Sequence, residues 1–130
     1  MKNSEGVKLI FPRLSYKIVG LLFEVYNGMG SSHRESFYQK AISNLLSQKN
    51  INFKEQLATP ILFKNKIVGR YYLDFLIEDK IILEIKTGER FLKRNIDQVY
   101  SYLTSKKLHL GIIANFTRSG VKFKRILNIK

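Results

Sequence analysis

Charged residues inside the most apolar stretch of the chain constrain its fold more than any other feature. The stretch reads Tyr71-Tyr72-Leu73-Asp74-Phe75-Leu76-Ile77, then a polar break Glu78-Asp79-Lys80, then Ile81-Ile82-Leu83-Glu84-Ile85-Lys86-Thr87. Two runs rich in β-branched and aromatic residues around so short a break predict a β-hairpin. A three-residue loop sets Ile77 opposite Ile81 and Asp74 opposite Glu84. Side chains alternate faces along a strand, so Lys86 shares a surface with both acids. The other face collects Tyr71, Leu73, Phe75, Ile77, Ile81, Leu83 and Ile85 as a core. Two neighbouring carboxylates repel, so a sheet serving only as scaffold gains little from them. A divalent cation between them reverses the sign of that interaction, and the hairpin reads as a metal site. The competing reading makes Asp74 and Lys86 an exposed cross-strand ion pair, which contributes almost nothing.

Composition narrows the metal. The chain has no cysteine, which excludes disulfides, thiolate zinc sites and thiol catalysis. Its two histidines, His33 and His109, are far apart in sequence. An ion held mainly by oxygen is expected to be Mg2+, with Mn2+ as a substitute, rather than zinc. Lys and Arg number 23 against 10 Asp and Glu, a formal charge of +13, and such an excess points to a polyanion, nucleic acid above all. The basic residues are dispersed: Lys64, Lys66 and Arg70; Lys93 and Arg94; Lys106 and Lys107; Arg118, Lys122, Lys124 and Arg125. That distribution fits a folded basic face better than a localisation signal.

At 130 residues one domain is expected, large enough to bury a core without staples. No segment approaches the ~20 apolar residues of a membrane span. The Val7–Phe11 patch, interrupted by Lys8, is too short for a secretory signal. A cytoplasmic protein is therefore expected. Residues 1–12 read as a flexible N-terminal lead-in and 13–130 as the single domain.

Apolar residues from Leu14 to Asn27 recur at helical spacing. The Gly28–Ser32 stretch stops that helix and offers a serine cap for the next. A second helix is expected from Arg34 to Lys49, with Phe37, Ala41 and Leu45 beside Tyr38, Ile42 and Leu46 as its apolar stripe, and Asn50 closing it. Phe53–Phe63 reads as a strand that Pro60 assigns to an edge or bulge. Ile67–Ile77 and Ile81–Thr87 follow as the hairpin. Residues 92–105 form a third helix through Ile96, Val99, Tyr100 and Leu103, and Leu108–Ala114 and Phe123–Ile129 are final strands. The fold class is α/β (α+β), a mixed central sheet with helices packed on it, in the order α-α-β-β-β-α-β-β.

Asp74 followed by Glu84-Ile85-Lys86, in that element order, resembles the PD-(D/E)xK nuclease superfamily. There an acid on one strand and an acid-x-lysine on the next build the active site. Glu35-Ser36-Phe37-Tyr38 resembles the ExxY half of the GxxExxY family, and Gln98 with Tyr102 resembles the QxxxY helix motif of RecB-like nucleases. Gly111–Phe116 is similar to that family's closing strand. The family's glycine is replaced by Ser32, a departure at the entry to the second helix that removes no metal-binding group. The resemblance implies a restriction-endonuclease-like core and phosphodiester hydrolysis. It also implies roles: Asp74, Glu84, the Ile85 carbonyl and Glu35 as metal ligands, Lys86 as the group orienting water or stabilising phosphate charge, and Gln98 and Tyr102 as support.

These residues define a metal-dependent deoxyribonuclease as the expected function. Arg34, Arg70, Lys93, Arg94, Arg118 and Lys122 are its expected nucleic-acid contacts. DNA is the expected partner, with RNA not excluded and a homodimer as one way to cut both strands. The alternative is a catalytically silent nuclease fold that binds nucleic acid or a partner protein. Bland roles compete residue by residue. Glu35 suits a helix N-terminus through the dipole, Gln98 suits a solvated helix face, and Glu24 is a rival acid with less motif support.

Overall fold

The computed structural model describes residues 10–129, so most of the expected lead-in lies outside the described residues. The elements are α1 (Pro12–Met29), α2 (Glu35–Gln48), β1 (Phe53–Phe63), β2 (Lys66–Ile77), β3 (Ile81–Thr87), α3 (Lys93–Lys106), β4 (Leu110–Thr117) and β5 (Gly120–Leu127). The order is the expected one. One sheet runs β1-β2-β3-β4-β5, antiparallel except for the parallel pair β3–β4, which α3 connects. Among the described residues no helix is long and apolar enough to cross a membrane.

Local chemistry accounts for the helix boundaries. Helix α1 starts at Pro12, two residues before the expected start, because proline's missing N–H and fixed φ suit the first helical position. Asn50 stands just beyond α2 at φ 56°, a left-handed closing position that asparagine tolerates. The serine cap does not form. Arg34 is the residue flanking α2 and no side chain caps it, since Ser32 lies two positions too early and is itself left-handed at φ 71°. Tyr38 ties this turn instead. Its hydroxyl donates to the Gly30 carbonyl at 2.6 Å and accepts the His33 N–H at 3.4 Å.

The sheet is covered on both faces. Ile18, Leu21, Leu22 and Val25 of α1 and Tyr38, Ile42 and Leu46 of α2 pack on Phe75, Ile77, Ile81, Leu83, Ile85 and Ile112. Val99, Tyr102 and Leu103 of α3 pack on Leu73, Leu76, Ile82, Ile113 and Ile126. Each such side chain, fully buried, contributes ~1.5–3 kcal/mol. The α2 stripe is narrower than expected: Tyr38, Ile42 and Leu46 are buried, while Phe37 is 51% exposed. On the opposite face α3 lies so close to β4 that a Cβ added at Gly111 would stand 2.5 Å from Val99 Cγ1.

The hairpin corrects one expectation. Ile77 does pair with Ile81, but Leu73 belongs to the α3 layer and Phe75 to the α1/α2 layer, so the predicted single core face splits at Asp74. The neighbouring strand switches in the same way between Phe53 and Leu57. Between them Gln56 has φ 53° and drops out of the pairing opposite Asp74. A left-handed residue inside a strand breaks the period-two alternation. Strand β1 is an edge strand, as Pro60 requires.

Candidate active site

The ladder between β2 and β3 spans only Phe75–Leu83, Leu76–Ile82 and Ile77–Ile81. Just past it, side chains take over from backbone. Glu84 Oε1 accepts the Asp74 N–H at 2.9 Å, and Asp74 Oδ2 accepts the Ile85 N–H at 2.8 Å. Strand divergence thus opens a gap, and the two carboxylates fill it by satisfying the amides that the gap leaves unpaired.

Both acids are nearly closed off from solvent, Asp74 at 6% and Glu84 at 3% exposure. Burial disfavours their charged forms and is the main reason both carboxyls hold protons more tightly than usual. Glu84 is pushed up to about 8, with the Asp74 charge as the second cause. Asp74 is also raised, first by burial and further by Glu35, against the lowering effect of the Ile85 N–H bond. Lys86 Nζ lies 3.7 Å from Glu84 Oε2 and 3.7 Å from Glu35 Oε1, and its side chain with that of Glu35 forms the partly exposed rim of the site.

The structure therefore brings Glu35, Asp74, Glu84, Ile85 and Lys86 to one place. It pairs Glu35 with the lysine rather than with the two buried acids, and among the described residues no group of three or more His, Asp or Glu is gathered as an ion-holding set. Gln98 meets this region through its backbone, whose carbonyl accepts the Tyr71 hydroxyl at 3.2 Å. Tyr102 is packed in the α3 layer beneath the Lys106 ammonium at 5.9 Å. Burial raises its phenol.

Two residues at the site escaped the sequence reading. Gln39 donates from Nε2 to Asp74 Oδ1 at 2.9 Å. It lies one turn after Glu35 on the same face of α2, and that i, i+4 spacing was the available signal. Tyr71, expected to be plain core, has its phenol raised by burial and by the nearby Glu84 charge.

The expected nucleic-acid contacts lie on separate elements of the fold. Arg34 precedes α2 with its guanidinium 6.0 Å from the Phe37 ring centre. Lys93 pairs with Asp97 at 2.7 Å, and Lys122 with Glu89 at 3.1 Å, beside the Arg118 N–H that also reaches Glu89 at 3.4 Å. Arg94 and Arg118 are exposed, and Arg70 stands on the far part of β2, paired with Pro60. The rival acid Glu24 is spent on an exposed ion pair with Lys49 at 3.4 Å. His33 bonds the Met29 carbonyl at 2.7 Å and His109 the Asn128 carbonyl at 3.0 Å, both local structural contacts.

The donor set suits a hard dication. Two carboxylates lie side by side where water cannot screen them, and each keeps lone pairs beyond its backbone bond.

A strand-borne acid, an acid-x-lysine on the adjoining strand and this element order define a nuclease-like α/β fold. The model of the PD-(D/E)XK nuclease superfamily matches residues 12–126, and the chain belongs to that superfamily. The superfamily is one of nucleases and typically depends on metal. Among solved structures, the crystal structure of SSO0001 superposes with a TM-score of 0.55 at 18% identity, over 72% of this chain and 50% of that one. The chain thus spans half the length of that protein. An alkaline exonuclease from Laribacter hongkongensis gives a TM-score of 0.48 at 12% identity, over 94% of this chain and 72% of that one. No curated protein matches the chain.

Proposed function

We propose that the protein is a metal-dependent deoxyribonuclease of the GxxExxY type within its superfamily, using Mg2+ with Mn2+ as a substitute. One observation carries the reading: Asp74 and Glu84 are buried side by side and locked to each other's strands. Such a pair is unfavourable as two bare charges, and a bound dication is the natural counterion. Asp74, Glu84 and the Ile85 carbonyl would hold the ion, which when bound supplies charge neutralisation at phosphate and a more acidic water.

The side chains supply the rest. Lys86, between Glu35 and Glu84, is within reach of a phosphate oxygen at the rim and can stabilise charge as it develops there. Glu35 holds the ammonium over the acids and is a candidate to accept a proton from the attacking water. Gln39 fixes the rotamer of Asp74, and Gln98 with Tyr102 supports the helix bordering the site. The excess of basic side chains favours a nucleic-acid substrate through phosphate contacts.

The test is cleavage of plasmid and labelled oligonucleotides by wild type, D74A and E84A, with Mg2+, Mn2+ or EDTA. Cleavage by wild type alone, abolished by EDTA, is expected. A thermal shift by Mg2+ in wild type but not in D74A provides a readout independent of turnover. DNA binding without cleavage under any metal would identify a silent binding module, and equal cleavage by the variants would discard the site.

A further inference from the structure

We infer that the β1–β2 hairpin is a nucleic-acid-gripping arm, whose apolar tip enters a duplex at a base step while its lysines sit on the flanking phosphates. This rests on the nuclease reading and adds to it how the substrate is held. The ladder of β1 with β2 runs on to Phe63–Lys66, whereas β3 accompanies β2 only along Phe75–Ile77. From Ala58–Tyr72 outward the pair is a two-stranded ribbon, roughly 20 Å long at about 3.3 Å per residue. Six of the twelve exposed large apolar side chains among the described residues stand on it: Ile61, Leu62, Phe63, Ile67, Val68 and Tyr72. A free ribbon is marginally stable in water, and so concentrated an apolar surface marks a contact site.

Charge identifies the occupant. No acid occurs between Glu55 and Asp74, while Lys64, Lys66 and Arg70 do. Lys64 Nζ stands 5.5 Å from the Phe63 ring centre, so cation and apolar wedge share the tip. A second copy of the chain fits poorly. Like charges would meet, and Pro60 in the edge strand lacks the N–H that strand pairing needs. Duplex nucleic acid fits both halves of the surface, since apolar wedges part base steps while lysines take phosphates. The arm roots at Tyr72, next but one to Asp74, so the gripped step lies within about six base pairs of the carboxylates, at ~3.4 Å per step.

The chain has no tryptophan, so Phe63→Trp creates a single reporter at the tip. In an E84Q background, where the duplex stays intact, labelled duplex DNA is titrated while anisotropy reports binding and tryptophan emission reports the tip. Emission is expected to fall in step with the anisotropy rise. Phe63→Ser with Ile67→Ser is expected to weaken binding about tenfold. Lys64→Gln with Lys66→Gln, which leaves the apolar groups untouched, should reduce the salt slope by about 1.8. Full binding with unmoved emission and an unchanged salt slope overturns the arm and leaves the nuclease reading standing. Emission that changes with protein concentration alone assigns the tip to self-association and overturns it too. Absence of any binding overturns both readings.

Discussion

Asp74 and Glu84 each close a backbone bond on the other's strand: Glu84 Oε1 takes the Asp74 N–H at 2.9 Å, and Asp74 Oδ2 takes the Ile85 N–H at 2.8 Å. The same carboxylates are therefore the candidate chemistry and the fastening of β2 to β3 where the ladder ends.

That double duty gives a defined pH signature. The folded chain holds the Glu84 proton up to about 8, against an ordinary value of 4.5. Between these limits the folded state binds more protons than the unfolded one, so stability falls as pH rises through the window. Glu84's contribution is complete below the lower limit and lost above the upper one. In EDTA, the melting temperature of E84Q minus that of wild type is expected to climb by several degrees across this interval. A difference that stays flat with pH would show that Glu84 titrates normally.

Gln39→Ala removes the donor to Asp74 Oδ1 without touching any group that meets substrate. A partner that orients a ligating carboxylate is worth ~10–100-fold in metal affinity or activity. The expected result is a higher Mg2+ requirement with maximal rate largely recovered at saturating metal. Gln39→Glu, which adds a charge beside two buried acids, should not rescue it. Rate against Mg2+ concentration for the two variants decides the point.

Lys86 stands between Glu35 and Glu84, 3.7 Å from each. Lys86→Met keeps the aliphatic stem and removes the charge, and is expected to lower cleavage at least ~10²-fold while salt-dependent DNA binding persists. Glu35→Gln leaves Lys86 paired with Glu84 alone, and its loss should be smaller. Equal effects from both would mean that the two side chains act as one unit.

Helix α3 presses on β4 at Gly111, where a Cβ would meet Val99 Cγ1 at 2.5 Å. Gly111→Ala is expected to destabilise by ~1–3 kcal/mol, measured as the urea midpoint. Adding Val99→Ala should recover part of that loss, since the offending methyl is then gone. No recovery would place the strain in the backbone instead.

Much of this architecture was legible in the residues. The length of the Glu78–Lys80 break set the Ile77–Ile81 register, and Pro60 marked the edge strand. The juxtaposition of Asp74 with Glu84 followed from the same loop, although the acids meet through side chain and backbone rather than as a ladder pair. The face switch at Asp74 was hidden because Gln56 carries no propensity for a positive φ; tertiary packing imposes it. Gln39 was marked only by its i, i+4 spacing from Glu35, and a helix amide gains a role only once a carboxylate lies opposite, as Asp74 does. Tyr102 and Gln98 were expected at the chemistry on motif alone. The ring of Tyr102 packs in the α3 layer, and the Gln98 carbonyl accepts the Tyr71 hydroxyl.

Tyr38 has a further consequence. Its ring lies 4.1 Å from that of Phe116 with 19° between the planes, and its hydroxyl holds Gly30. The Phe116 carbonyl in turn accepts the Gly88 N–H at 3.2 Å, at the start of the segment after Lys86. The mount of Glu35 and the exit of the lysine strand are thereby riveted to one anvil. The separation of the two is thus set by the fold, and Glu35 and Lys86, partly exposed, are the groups at the rim with room to adjust.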